Sequence, residues 1–268
     1  MSIERISSRQ NPRVTQFRDV AHGRVPDAML LDGEHLIEEA LVSGVPIDVA
    51  AFGERLGNGP LADRLRREGV TVVLVTDAVL SAISPVQAPS GVVGIARRPV
   101  TTLEGVFATK PPLVAVLHDV QDPGNVGAVV RAAEGCGATG VVCSERTADP
   151  FGWKALRGAM GSTFRLPVAA GRTLDEAIAQ ARASGLRVFA TTARGGTSLP
   201  ECDLRGPAAV IFGGEGAGLP AALIEAADAR LTIPMQAPVE SLNVAIAAAL
   251  VLYEAARQRH RDTVHVTL

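Results

Sequence analysis

Lysine is almost missing from this 268-residue chain: of 26 basic residues only Lys110 and Lys154 are lysines, the rest being arginine. Arg-favouring codon usage of a GC-rich genome is one reading of that choice; the other is phosphate binding, for which the planar donor fork of the guanidinium is well suited. An excess of either charge is also missing. The formal net charge is -2, so the global balance does not point to a nucleic-acid ligand. Cysteine is sparse: Cys136, Cys143 and Cys202 form no C-x-x-C pair and have no His-x-x-x-His partner, which argues against a disulfide framework or a zinc site and fits a reducing cytosol. Aromatic residues make up only 3%, so stacking on aromatic rings is not expected to dominate the binding of any ligand. The longest apolar run, Val244 to Tyr253, is too short for a membrane span. The polar start, MSIERISSRQNPR, lacks the apolar stretch of a signal peptide. The expectation is a cytoplasmic protein without membrane association.

A composition of 47% hydrophobic residues supplies ample core for one large or two ordinary domains. Residues 1–20 open with Arg5, Arg9, Arg13 and Arg18, opposed only by Glu4 up to position 18. Strand-like MLLDG, PIDVAAFG, VTVVLV and SGVVGIA then alternate with helix-like stretches at 34–43, 60–68 and 77–83. This pattern predicts a small α/β domain over 1–97, with a proline-bearing linker over 98–112. The remainder, 113–268, is βα-repetitive. LVAVLHDV, TGVVCS, RVFATT and AAVIFG read as strands. Helices are expected at 125–136, at 152–161, over LDEAIAQARASG, near Leu219, and from about Glu240 to about Arg261. Strands this apolar imply a parallel sheet covered on both faces.

Three segments place polar residues and glycines at the edges of apolar runs: 125-NVGAVVRAAEGCGATGVV-142, 210-VIFGGEGAGLP-220 and 231-LTIPMQAPVESLNVAIAAAL-250. The G-x-G-x-x-G match 135-GCGATG-140 is a decoy. A dinucleotide fingerprint follows a strand and opens a helix, whereas this one follows a helix and precedes a strand, so it reads as a helix end and turn. The glycine loop at 213–218 has the right context, at a strand's C-terminal end, where glycines allow a ligand close to the backbone and Glu215 adds a carboxylate. No Gly-Lys-Ser/Thr follows, so it is not a P-loop. Ser241 and Asn243 stand where a helix begins, a capping neighbourhood. The small, apolar helix body behind them suits close packing against the core or a second subunit, with a dimer interface preferred. No Ser/His/Asp set stands out among the dispersed histidines. His118, beside Asp119 at a strand end, reads as a structural histidine with its nitrogens satisfied.

Taken together, the three segments resemble the signature motifs of the SpoU/TrmH branch of the SPOUT RNA methyltransferases. Asn125 and Arg131 stand six apart. Glu215 follows Gly213 and Gly214, and Ser241-Leu242-Asn243 follows Ile233-Pro234-Met235. The stretch 161-GSTFRLPV-168 is also similar to the family. NPRV and LLDGEHLIEEAL resemble the small RNA-binding domain that precedes many SpoU-type catalytic domains. The resemblance implies a C-terminal parallel-sheet α/β domain closed by a trefoil knot, a homodimer, and S-adenosylmethionine as cofactor. It implies 2′-O-ribose methylation of RNA, ribosomal RNA by preference and transfer RNA as the alternative. On this reading Asn125, Arg131, Glu215, Ser241 and Asn243 form the catalytic set. Thr191, Gly213, Gly214, Ile233, Met235 and Leu242 hold the cofactor. Arg5, Arg9, Arg13, Arg18, Lys154, Arg157 and Arg165 are the candidates for RNA phosphate, and no metal is called for. A non-catalytic RNA-binding protein on the same scaffold and a nucleotide-dependent oxidoreductase are the competing classes. Cofactor binding separates the first, and the misplaced GCGATG argues against the second.

Overall fold

The computed structural model describes residues 4–57, 59–109, 111–216 and 218–259. In chain order its first elements are β1 (Glu4–Ile6), α1 (Pro12–Ala21), β2 (Ala28–Asp32), α2 (Glu34–Val42), β3 (Ile47–Gly53), α3 (Pro60–Arg67), β4 (Thr71–Val75), α4 (Asp77–Ile83) and β5 (Val92–Arg97). Then come α5 (Leu103–Phe107), β6 (Leu113–His118), α6 (Pro123–Gly135), β7 (Gly140–Ser144), α7 (Trp153–Ala159), α8 (Ser162–Arg165) and β8 (Val168–Arg172). The last are α9 (Leu174–Ala183), β9 (Arg187–Thr191), β10 (Thr197–Ser198), β11 (Ala208–Gly213), α10 (Ala221–Ala226), β12 (Ala229–Thr232) and α11 (Val244–Arg259). Among the described residues no helix is long and apolar enough to cross a membrane.

The chain divides into two compact units. The first joins residues 4–99 to Phe151–Arg165. Its sheet runs β1-β4-β3-β5-β2, with β1, β4 and β3 parallel and β5 antiparallel to both neighbours. Asn11 caps α1, its side chain accepting from the Arg13 amide at 2.9 Å, and Pro12 takes the first helical position, so the NPR triplet is a helix start. Val14 and Phe17 from α1 pack with Val79 and Ile83 from α4 on Leu30, Val49, Val73 and Ile95. Residues 151–165 were expected in the 113–268 block. They join this unit because Trp153 packs on its core and α7 buries Ala155, Leu156 and Ala159, while Arg98 stacks over Phe151 at 5.6 Å.

The second unit comprises Val100–Pro150 and residues 166–259. Its seven-stranded sheet is parallel throughout, in the order β10-β12-β9-β11-β6-β7-β8. Val114, Val116, Val188, Ala190, Ala209 and Ile211 meet α5, α9 and α10 on one face. The alternate residues, such as Ala115, Leu117, Val210 and Phe212, are equally buried on the other face, where α6 and α11 pack side by side. The 98–112 stretch is more than a linker. Thr102 caps α5, whose Leu103, Val106 and Phe107 enter the core of this unit. The short strands β8 and β10 carry little apolar signal and were not anticipated. The final helix starts at Val244 rather than Glu240, because Asn243 caps it, and its expected end at Arg261 lies outside the described residues. Likewise α10 starts at Ala221, two residues after Leu219, with Pro220 still extended at ψ 141°. GCGATG is the end of α6 and a turn at Gly137 (φ +73°). The neighbours β6 and β11 hand the chain on in opposite directions, β6 to β7 on one side and β11 to β12 on the other. The crevice beyond the C-terminal ends of β6 and β11 is therefore the switch point where open α/β sheets bind ligands.

The C-terminal half of α11 is tied to the loop before β11. Gln258 accepts from the Leu204 amide at 2.8 Å and donates to the Cys202 carbonyl at 2.9 Å, while Arg259 donates to Leu204 and Gly206 carbonyls at 2.9 and 2.5 Å. Gln258→Ala strands one backbone donor and one acceptor, so a loss of about 1–3 kcal/mol is expected in urea denaturation. An unchanged midpoint would mean that water replaces Gln258 without cost. In the first unit, burial raises the Asp32 carboxyl above its ordinary 3.8, against the Ser84 hydroxyl donating to it at 2.6 Å and the nearby Arg157. The folded state thus holds this proton more tightly than the unfolded chain. Stability falls as pH rises from the unfolded value through the folded one, and the full cost is present above it. Asp32→Asn keeps an acceptor for Ser84 and removes the charge. Its stability relative to the parent is expected to improve with pH across that window and then level off, and parallel pH–stability curves would refute the assignment.

Candidate active site

The chain leaves β6 at His118 and turns at Asp119, whose φ is +58°. Asp122 then caps α6, its Oδ1 accepting from the Asn125 amide at 2.9 Å, with Pro123 at the first helical position. This puts Asn125 in the first turn of α6, at the crevice. The glycine loop follows β11 on the neighbouring strand. Gly216 (φ +106°) and Gly218 (φ +64°) use backbone conformations that side chains disfavour, as the sequence suggested. Gly213 and Gly214, which were expected to let a ligand approach, also meet a packing need. A Cβ on Gly213 would lie 2.6 Å from the Gly218 carbonyl carbon, and one on Gly214 would lie 1.9 Å from the Asp119 carbonyl oxygen. These two glycines let backbone touch backbone.

Three of the five expected catalytic residues form a hydrogen-bonded chain across segments distant in sequence. Asn243 Nδ2 donates to Asn125 Oδ1 at 3.1 Å, and Asn125 Nδ2 donates to Glu215 Oε1. The amide orientations follow from the partners. Asn243 Oδ1 accepts from the Ala245 and Ile246 amides at 2.9 and 3.3 Å as the cap of α11, which leaves its Nδ2 to donate. Asn125 must then accept from Asn243 and donate to the carboxylate. Capping and site-building were alternatives in the sequence, and Asn243 does both. Ser241 shares a cleft with Glu215 and Asn243. Arg131 is not drawn in. Six residues along α6 it stands about 9 Å up the axis and about 120° around it. It is exposed, lies outside the cleft, and has no hydrogen-bond or ion-pair partner among the described residues.

The cleft has a volume of about 750 Å³ and is lined by all six residues assigned to the cofactor: Thr191, Gly213, Gly214, Ile233, Met235 and Leu242. Phe212, Leu219, Ile224 and Leu231 add apolar wall. Residues 233–236 and 239–243 belong to no helix or strand, so their backbone edges lie outside the sheet ladder. Apolar walls with backbone donors and acceptors suit a purine nucleoside carrying an amino-acid tail, and the volume is ordinary for a cofactor cleft. Thr191 contributes wall rather than a free hydroxyl, since its Oγ1 donates to the Ile211 carbonyl at 2.9 Å. Arg194 and Glu240 pair at 3.6 Å, both exposed, on two of the lining loops. Among the described residues no His, Cys, Asp and Glu group is placed to hold a metal ion.

His118 departs from the reading of a satisfied structural histidine: its Nδ1 is buried with no hydrogen-bond partner among the described residues. Burial holds its pKa below the ordinary value, against the pull of the Asp119 carboxylate and with the help of Arg146. All seven residues assigned to RNA phosphate fall in the first unit. Arg5 pairs with Glu54 at 2.5 Å, Arg13 with Glu4 at 3.1 Å, and Arg165 with Glu39. Arg9 and Arg18 donate to the Ala78 and Ala82 carbonyls of α4, each at 3.0 Å. Lys154 lies over the Trp153 ring at 5.4 Å, and Arg157 sits near Asp32. None is buried in its pairing. Sequence reasoning passed over the backbone geometry at Asp119, because a positive φ at a non-glycine residue leaves no mark in composition or period.

Two family models match the chain: the SpoU rRNA Methylase family over residues 112–253 and the MRM3-like substrate binding domain over residues 22–94. An uncharacterized tRNA/rRNA methyltransferase of Synechocystis is 37% identical, over 96% of this chain and 95% of its own length. The 23S rRNA (guanosine(2553)-2′-O)-methyltransferase RlmP of Bacillus subtilis is 32% identical, over 94% of this chain and 98% of its own. Among solved structures, the AdoMet-bound rRNA methyltransferase from Sinorhizobium meliloti superposes with a TM-score of 0.85 at 30% identity, covering 95% of this chain and 98% of that one. The SpoU methyltransferase AviRb from Streptomyces viridochromogenes, in complex with AdoMet, superposes with a TM-score of 0.83 at 27% identity, covering 93% and 98%. With a family model across more than half its length and relatives aligned nearly end to end, the chain belongs to the SpoU rRNA methylase family of RNA methyltransferases.

Proposed function

We propose that this protein transfers a methyl group from S-adenosylmethionine to a ribose 2′-hydroxyl of ribosomal RNA. The observation that carries the proposal is the Asn243–Asn125–Glu215 chain of hydrogen bonds at a glycine-walled cleft at the sheet's switch point. The full-length match to a 23S rRNA ribose methyltransferase favours ribosomal over transfer RNA. Gly213, Gly214, Ile233, Met235 and Leu242 hold the cofactor through backbone edges and apolar wall, and Thr191 closes one side. When bound, S-adenosylmethionine supplies a methyl group already activated by its positive sulfur. What the chain must then provide is a positioned hydroxyl and relief for the charge that develops on it. Asn125, braced on both sides of its amide, orients the ribose, and Glu215 and Ser241 hold the loops around it. Arg131 lies outside this chain's own cleft, so it meets the ribose only where RNA or a second copy lies against the exposed side of α6; its guanidinium stays protonated and there stabilises the forming alkoxide while an RNA phosphate takes the proton.

A homodimer is part of this reading. Ile246, Leu250 and Tyr253 stand at i, i+4 and i+7 on α11, each at least 42% exposed, while Val244, Ala248, Val251, Leu252 and Ala255 on the opposite side fill the core. Such a stripe on a helix packed beside α6 supports a second copy covering this layer, next to the unpartnered Arg131. We place a trefoil knot in this domain on the family's pattern; the close approach of Gly214 to the Asp119 carbonyl, with α11 lying against α6, is what such a closure requires. The first unit selects the RNA, and the enzyme works in the cytoplasm.

Arg131→Ala is expected to lower the methylation rate by about 10²-fold or more while S-adenosylmethionine affinity, read by calorimetry, stays within a few-fold. Wild-type turnover in that variant would remove Arg131 from the reaction. Mapping 2′-O-methylation in RNA from a deletion strain tests the substrate: loss of one ribosomal ribose methyl is expected, and loss from transfer RNA alone would transfer the assignment. Replacing Ile246 and Tyr253 together by glutamate should yield a folded monomer in sedimentation, with little methyl transfer. A dimer that survives both charges places the interface elsewhere.

A further inference from the structure

Asp119 is the one described residue of the second unit, glycines apart, with a positive φ, and a turn of this kind persists only where its surroundings hold it. The surroundings are specific. The Asp119 amide donates to Ser144 Oγ at 3.2 Å. Its carboxylate accepts from Arg146 at 2.6 Å through Oδ2 and from Gln121 Nε2 at 2.6 Å through Oδ1, and Gln121 also donates to the Arg146 carbonyl, closing a ring. Ser144 exchanges a hydrogen bond with Thr147 at 3.1 Å, and the Thr147 hydroxyl donates to the Leu117 carbonyl at 3.0 Å, anchoring the ring to β6.

The turn held in this way touches both ends of the Asn125–Glu215 hydrogen bond. On one side the Asp119 carbonyl presses on Gly214, where a Cβ would lie 1.9 Å from it, and the next residue is Glu215. On the other side, three residues on, Asp122 caps α6 and holds the Asn125 amide at 2.9 Å. We infer that Asp119 is a positioning residue for methyl transfer: its carboxylate, gripped by Arg146 and Gln121, fixes the turn that sets Glu215 against Asn125. The inference rests on the proposed activity. It differs from a role as proton acceptor, which Asp119→Asn would abolish, whereas a positioning role survives that change.

The test uses the full-length protein, an RNA carrying the mapped target, and four variants. Asp119→Leu removes both the grip and the tolerance of the turn for positive φ. Asp119→Asn keeps that tolerance and one acceptor. Arg146→Ala and Gln121→Ala each remove one half of the grip. Asp119→Leu is expected to lower kcat by about 10²-fold, the cost of a misplaced catalytic group. KM for RNA and the dissociation constant for S-adenosylmethionine should stay near wild type. Asp119→Asn should recover most of the rate, and the acid limb of the pH profile should not move in it. If Asp119→Leu does not fold, the Arg146 and Gln121 variants carry the test through the same split between kcat and KM. Wild-type kcat in every folded variant overturns the inference, as does a rate loss matched by an equal loss of cofactor affinity. A wild-type protein that methylates no RNA fails the activity itself, which is a separate result.

Discussion

Two backbones meet between Asp119 and Gly214 with no room for a side chain, and the geometry of the site follows from that contact. Because Gly214 lies against the Asp119 carbonyl, the loop after β11 cannot drift away from the loop after β6 without opening a void. The parallel sheet supplies the frame: β6 and β11 are neighbours in register, with Gly213 opposite His118, so their exits emerge together at one edge. The glycine-rich segment therefore does two jobs along its length. Its first residues close a backbone–backbone contact within the chain, and Gly216 and Gly218 turn the chain back toward α10.

That division explains what could and could not be read from the sequence. The apolar strands and the order of βα units were legible, because burial on both faces of a parallel sheet leaves continuous hydrophobic runs. The helix starts at Asn11 and Asp122 were signalled by capping residues followed by proline. Less visible was the fate of 151–165, since Trp153, Ala155 and Leu156 read as core residues whichever core receives them. The three polar positions 125, 215 and 243 could be nominated through family resemblance, but their mutual hydrogen bonds span up to 118 residues and depend on strand order, which no local period encodes. Arg131 shows the complementary limit. Its spacing from Asn125 matches the family, yet a helix places it around the axis and away from the cleft.

The arginines separate in a way that net charge concealed. Six of the seven basic residues expected to touch RNA have a carboxylate, carbonyl or ring partner within the first unit. Exposed pairs of this kind contribute little to stability, so an RNA phosphate can exchange with the carboxylate at small cost. Arg9 and Arg18 differ, because their partners are backbone carbonyls of α4 and leaving them strands acceptors on a helix that the core needs. Within that set, Arg5 and Arg13 are therefore freer to serve a ligand than Arg9 and Arg18.

The chemistry of the amide decides why asparagine stands at both 125 and 243. Aspartate at 243 would cap α11 equally well, since capping uses only the oxygen that accepts from Ala245 and Ile246. It could not donate to Asn125, and it would set a carboxylate against that residue's carbonyl oxygen. Aspartate at 125 would face Glu215 with like charge where a donor is now bound. Only a side chain that accepts on one end and donates on the other can relay the order fixed by the helix cap through to the carboxylate. The start of α11 thus sets the orientation of Glu215 through two amides, and the same helix presents Ile246, Leu250 and Tyr253 outward, so the element that orients the site also carries the exposed face proposed above for a second copy.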